Sequence, residues 1–395
     1  MRSHALAIPL AAALVPGVAR GFDLQTSEML QGSVTHQRFG EFLADDVADR
    51  AVLEARLDAT VIGSRWQVVA RPRLRAFETD TNLPQYQEPR HVSFTEAYAS
   101  ADATQAWRVA AGKHYLSWGP GLLYSPSNRL FPDNGSAGPR QEIDGKWMAW
   151  TSVVAADGVQ LTALAADPYL APDPDVKRAG AFYLARAERV ATAGDQFGWG
   201  LVAGGGGGLL PYIGGYLQRS AGDAFTFALE WSASRGYAST VPGMPRLAQN
   251  QRRWNHDAAL SLRYGLSDGG ELAVEYIGNG YHLDAQEADL PAVALLPASA
   301  STQSRYAAQH PLTERHYLNL QANFPKVFGY ARWTLFLRHL EAPDRHGRLS
   351  FAELGYSPAD HLTLYAGATV TSGSAASSLV RSIHDAAYVT AELVF

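Results

Sequence analysis

An all-β chain, closed into a transmembrane antiparallel up-and-down β-barrel of about eighteen strands, with sixteen as the alternative, is the fold that this sequence predicts. Three observations carry the prediction. Glycine and aromatic residues are abundant, with 36 Gly, 18 Tyr, 15 Phe and 9 Trp against 4 Met, a balance that suits strands and tight turns. From about Gly32 onward the chain repeats a unit of roughly 9–13 residues of apolar/polar alternation followed by turn residues. Short and long connections then alternate along the chain, as expected when one end of a barrel carries tight turns and the other carries loops.

The alternation is read directly from the residues. Leu53, Ala55, Leu57, Ala59 and Val61 interleave with Glu54, Arg56, Asp58 and Thr60, while Phe225, Phe227, Leu229 and Trp231 interleave with Thr226, Ala228, Glu230 and Ser232. Each stretch places one face in lipid and the other toward a polar lumen. Short turns are expected near Gly63-Ser64, 101–104, 156–158, 191–195, Ala221-Gly222, 267–270, 325–329 and 357–360. Longer segments at 78–90, 116–143, 168–178, 235–254, 280–312, 341–347 and 372–385 lie at the other end, with a tight Gly204 to Gly208 connection as the exception. A first strand over roughly 32–44 is needed to make the count even and to bring both termini to one side.

Composition narrows the alternatives. Hydrophobic residues make up 47% and charged residues 18%, yet mean hydropathy is −0.15. After the N-terminus no apolar run is long enough for a transmembrane helix. The chain has no Cys, which excludes a disulfide framework and thiolate metal sites, and its net charge of −5 gives no reason to expect a nucleic-acid partner. Residues 1–21 read as a signal peptide. Arg2 and His4 precede the apolar run Ala5 to Val15, and the small residues Gly17, Ala19 and Gly21 follow it. Residues 22–395 are then the barrel.

The final strand is distinctive. Val389, Ala391, Leu393 and Phe395 share one face, and the chain stops on the aromatic. This resembles the terminal strand that the outer-membrane insertion machinery of Gram-negative bacteria recognises. The resemblance implies an outer-membrane protein whose partners are that machinery, outer-membrane lipids and lipopolysaccharide.

Two groups of residues are candidates for function. Arg71, Arg73 and Arg75 recur at period two, opposite Ala70, Pro72, Leu74 and Ala76. A lipid-facing arginine costs about 2–4 kcal/mol at mid-depth, so the three are expected to face inward. With Arg56, Arg332 and Arg338, and with Glu230 and Glu275 as acids, they read as pore-lining residues that set a field across a water-filled path. The segment 116–143 is the second group. Its Trp118-Gly119-Pro120-Gly121 turn and its length suit a loop folded back into the pore, with Arg129, Asp133, Arg140 and Glu142 at the constriction.

The stretch Lys113-His114-Tyr115-Leu116-Ser117-Trp118-Gly119-Pro120-Gly121 resembles the strand-to-loop junction of the capsule-assembly Wzi barrels. The general plan is similar to porin-type and alginate-export barrels. The porin resemblance implies passive passage of small polar or anionic solutes; the Wzi resemblance implies, as the alternative, assembly or export of a capsule or exopolysaccharide. No catalytic set, cofactor motif or metal-ligand spacing stands out: His310, His316, His339 and His346 have no paired nucleophile near them in sequence. The expected ligand is therefore a small solute or a polysaccharide, with no cofactor.

Overall fold

Successive side chains of a strand point to opposite faces, and in lipid each backbone N–H and C=O needs an internal partner. A two-faced sheet with one greasy side meets both demands by closing on itself. The computed structural model describes residues 22–38, 47–80, 90–131, 140, 142–167, 181–190, 196–206, 209–235, 254–280, 312, 314–327, 329–374, 377, 379–380 and 385–395. The predicted signal peptide lies outside these residues, as do the turn at 191–195 and most of the longer segments.

The described strands are β1 (Phe22–Arg38), β2 (Val47–Gly63), β3 (Trp66–Asp80), β4 (Arg90–Asp102), β5 (Trp107–His114), β6 (Lys146–Val154), β7 (Gln160–Asp167), β8 (Phe182–Arg189) and β9 (Phe197–Gly206). They continue as β10 (Leu209–Ala221), β11 (Phe225–Arg235), β12 (Trp254–Gly265), β13 (Glu271–Gly278), β14 (His316–Phe324), β15 (Trp333–Ala342), β16 (Gly347–Ala359), β17 (Leu362–Gly373) and β18 (Asp385–Val394). Every strand pairs antiparallel with its neighbours in sequence, and β1 pairs with β18 from Met29↔Val394 to Arg38↔Asp385. The sheet is an eighteen-stranded closed barrel, the larger of the two expected counts.

The first strand differs from expectation at its start. It begins at Phe22 rather than near residue 32, because β2 is 17 residues long and pairs with it throughout, from Phe22↔Gly63 to Arg38↔Val47. Gln25, Thr26 and Glu28 dilute the apolar rhythm there, so the sequence conceals a strand that its neighbour's hydrogen bonds impose. Residues 39–44 of the expected strand lie outside the described residues.

The two faces follow the alternation. Along β12 exposed and buried residues alternate strictly from Trp254 to Ser261, and Leu53, Leu74, Val92, Leu201, Leu260 and Val389 are exposed on the outer face. Trp66, Trp107, Trp147, Tyr183 and Tyr276 are exposed as well, whereas Tyr212 turns inward and is buried. Pro72, which has no N–H for a ladder bond, falls where the β3–β4 register shifts. The irregularity changes what β4 presents to the lumen: Thr95 and Glu96 are both buried while Phe94 is exposed.

Leu260 lies mid-strand on the outer face of β12. Leu260→Arg is expected to cost about 2–4 kcal/mol in urea-dependent folding into lipid vesicles, and a cost under about 1 kcal/mol places that residue outside the bilayer core.

Candidate functional site

The site begins with a long connection that does not stay at the rim. Between β5 and β6 the chain enters the barrel, where Leu123, Leu130 and Phe131 are 1%, 1% and 3% exposed. Trp118, Leu130 and Phe131 pack with Met148, Leu164, Phe182, Leu184, Val202 and Tyr212. Leu123 and Tyr124 pack with Ala259, Ile277, Tyr317 and Leu340 on the far side. Full burial of each large side chain is worth about 1.5–3 kcal/mol, so the loop is seated by its own apolar residues.

Burying a loop also buries its backbone donors, and two carboxylates answer them. Glu230 on β11 accepts the Gly121 N–H (3.1 Å), the Ser127 N–H (2.9 Å) and the hydroxyls of Ser125 (2.5 Å) and Ser127 (2.6 Å). Glu275 on β13 accepts the Leu122 and Leu123 N–H groups at 2.7 and 2.9 Å. The Trp118-Gly119-Pro120-Gly121 turn exists for this approach. Gly119 has φ +85°, and a Cβ there would stand 2.5 Å from the Glu230 carboxylate; at Gly121 it would stand 2.2 Å from the Tyr124 carbonyl oxygen. Arg263 donates to the Pro120 carbonyl at 2.7 Å and closes the turn.

These contacts correct the roles expected of Glu230 and Glu275. Both point inward, but at 1% and 0% exposure they anchor the loop and do not line an open path. Arg129 is likewise an anchor, donating to Asp257 (2.8 Å), Ser232 (3.1 Å) and Ser234 (3.2 Å). Asp133 lies outside the described residues. Arg332 is not on the lumen wall; it sits in the turn before β15 and donates to the Pro358 carbonyl near the end of β16. Arg338 does face inward, beside Gln321 and over the Phe336 ring.

The arginine row is where its period placed it, but its partners differ from expectation. Glu54, Asp58 and Glu96 lie beside the arginines on neighbouring strands and Glu142 comes from the inserted loop, all in contact and none across an aqueous gap. Arg75 and Arg56 share Glu54, Arg71 pairs with Glu96, and Arg73 meets both Asp58 (2.8 Å) and Glu142. Register explains the pattern. Glu54 stands directly opposite Arg75, while the like charges Arg56 and Arg73 stand opposite each other and are parted by their separate acids.

The returning limb of the loop completes the site. Glu142 binds Arg73 bidentately at 2.5 and 2.7 Å, and Arg140 reaches another part of the wall. There it donates twice to Glu353 (2.9 Å each), once to Glu392 (3.4 Å), and lies over the Tyr365 ring. One connection thus contacts β3, β11, β12, β13, β16 and β18. Solvent still reaches Asp58, Arg71, Arg75, Arg140, Glu142 and Glu392, a strip along the β16–β18 and β1–β3 side.

Burial alone would raise the Glu142 carboxyl, but hydrogen bonds and charge from Arg73, the charge of Arg56 and the Thr95 hydroxyl outweigh it and hold the group below its usual range.

Val389, Ala391 and Leu393 alternate along β18, Phe395 follows the strand's last residue, Val394, and the Phe395 N–H donates to the Glu28 carbonyl of β1 at 3.0 Å.

No protein-family model and no curated protein matches the sequence. Solved structures do share the fold. Acinetobacter baumannii OccAB1 is similar with a TM-score of 0.62 at 10% identity, covering 94% of this chain and 96% of that one. A BenF-like porin from Pseudomonas fluorescens Pf-5 gives 0.60 at 11%, with 94% and 98% covered. Pseudomonas aeruginosa OccK2 (OpdF) in complex with glucuronate gives 0.55 at 15%, with 95% and 99% covered.

Glu230→Ala leaves three donors, the Gly121 and Ser127 N–H groups and the Ser127 hydroxyl, without this acceptor, each worth about 1–3 kcal/mol when buried and unmet, and leaves the Ser125 hydroxyl only the Trp118 carbonyl. Protease cleavage within 118–131, slow in the wild type, is expected to accelerate in this variant; an unchanged cleavage rate removes Glu230 as an anchor. Since the folded-state Glu142 carboxyl is lowered, its clamp is complete above the unfolded value of about 4.3 and is lost as pH falls through the lowered folded value. Cleavage near Arg140 should therefore rise only in acid, and Glu142→Gln should show the same rate at neutral pH.

Proposed function

We propose that this chain is an outer-membrane channel that lets small polar or anionic solutes pass passively, in the manner of a porin. The observation that supports the reading is the inserted loop: its described residues occupy part of the lumen, and charged side chains beside it, Asp58, Arg71, Arg75, Arg140 and Glu392 among them, keep contact with solvent along one wall. A barrel of this kind has a greasy exterior and a wet interior, which suits the outer membrane and not a soluble compartment. The structural neighbours support the same reading, since one is a porin by name and another was captured with glucuronate, a small polar anion.

The exposed apolar face with its terminal Phe395 supports contact with outer-membrane lipids, lipopolysaccharide and the insertion machinery. Capsule assembly, the alternative suggested by the Trp118 to Gly121 turn, gains nothing further, because fitting that turn against Glu230 accounts for it.

Purified protein in planar bilayers should give discrete ion conductance, and liposomes containing it should swell in small sugars and sugar acids. Absence of both in correctly folded protein would overturn the channel reading. Arg140→Ala frees one limb of the loop from Glu353 and Glu392, so single-channel conductance should rise; an unchanged conductance places the constriction elsewhere.

A further inference from the structure

The arginines that face the open strip are not free cations. Five guanidiniums on β2, β3 and the loop are joined by ion pairs to six carboxylates, so the joined groups carry almost no net charge. Their access to solvent is uneven. The side chains of Glu54, Glu96 and Glu353 are only 7%, 6% and 5% exposed, whereas Asp58 is 44% exposed beside Arg71 at 41%. Arg73 is 2% exposed and already has Glu142 as a bidentate partner. Asp58 is therefore the most exposed acid of the strip, ahead of Glu142 at 22% and Glu392 at 17%, and it lies 2.8 Å from Arg73 and 3.7 Å from Arg71.

We propose that Asp58 is the specificity-determining residue of this passage. By adding a second carboxylate beside Arg71, which Glu96 already pairs, and beside Arg73, it keeps the row of arginines from selecting anions. Solutes are then admitted by size and polarity, and small uncharged or dipolar ones pass as readily as monoanions. The inference rests on the channel reading above and deepens it, since arginines at period two would by themselves favour anions.

The test is the reversal potential of purified protein in planar bilayers under a potassium chloride gradient. Wild type should reverse near zero. Asp58→Asn should move the reversal toward the chloride potential by at least about a threefold rise in relative chloride permeability, the scale of one unit charge a few ångströms from the ion path in water. Asp58→Glu should behave as wild type, and Arg71→Gln should shift the other way. Strong chloride selectivity in the wild type, or an unmoved reversal in conducting Asp58→Asn channels, overturns the proposal. Should Asp58→Asn fail to fold, the wild-type reversal and the Arg71→Gln shift decide it. A wild type that passes no current contradicts the channel reading itself, which is a separate and recognisable result.

Discussion

The hydrogen bonds between β1 and β18 are the constraint on which the rest depends. In hydrocarbon an unpaired strand edge leaves a row of N–H and C=O groups without partners, each costing several kcal/mol. The seam from Met29↔Val394 to Arg38↔Asp385 removes that edge, and the Phe395 N–H bond to Glu28 extends it to the last residue. Once the cylinder is closed, each side chain has one of two fates. Leu53, Leu201 and Leu260 meet lipid, while Arg56, Asp58 and the arginines of β3 are turned into a confined aqueous space.

Inside that space the same accounting of polar groups applies to the loop. An apolar segment such as Leu122 to Tyr124 enters a lumen readily, but its backbone N–H groups come with it. Glu230 and Glu275 accept them, and the glycines at 119 and 121 allow the backbone to come close enough. The inserted loop is thus held by hydrogen bonds as much as by greasy contacts. At its other limb, Arg140 and Glu142 exchange charges with two parts of the wall. The described parts of the loop are thus fixed to the wall at many points.

The arginine row shows how much of the site was legible and where legibility stopped. Period two is enough to place Arg71, Arg73 and Arg75 on one face, and the cost of arginine in lipid is enough to choose the face. Neither says which acid each one meets. That depends on the register between β2 and β3, on the irregularity at Pro72 that leaves Glu96 buried toward the lumen, and on where a distant loop delivers Glu142. Glu230 and Glu275 look like pore acids in the sequence for the same reason. Their inward direction and the entry of the 116–143 loop into the lumen are both legible in the sequence, but not that this loop seats on these two acids.

By itself the sequence determined the cylinder: its strand rhythm, its turns, its lipid-facing residues and the aromatic end at Phe395. These are local properties, set by the two-residue period of a strand and by turn chemistry. Tertiary structure alone decided that β1 reaches back to Phe22, that Arg332 leaves the lumen for a turn, and that opposite charges touch along one wall. Those outcomes depend on pairings between residues far apart in the chain, and such contacts leave no periodic trace in any single stretch of it.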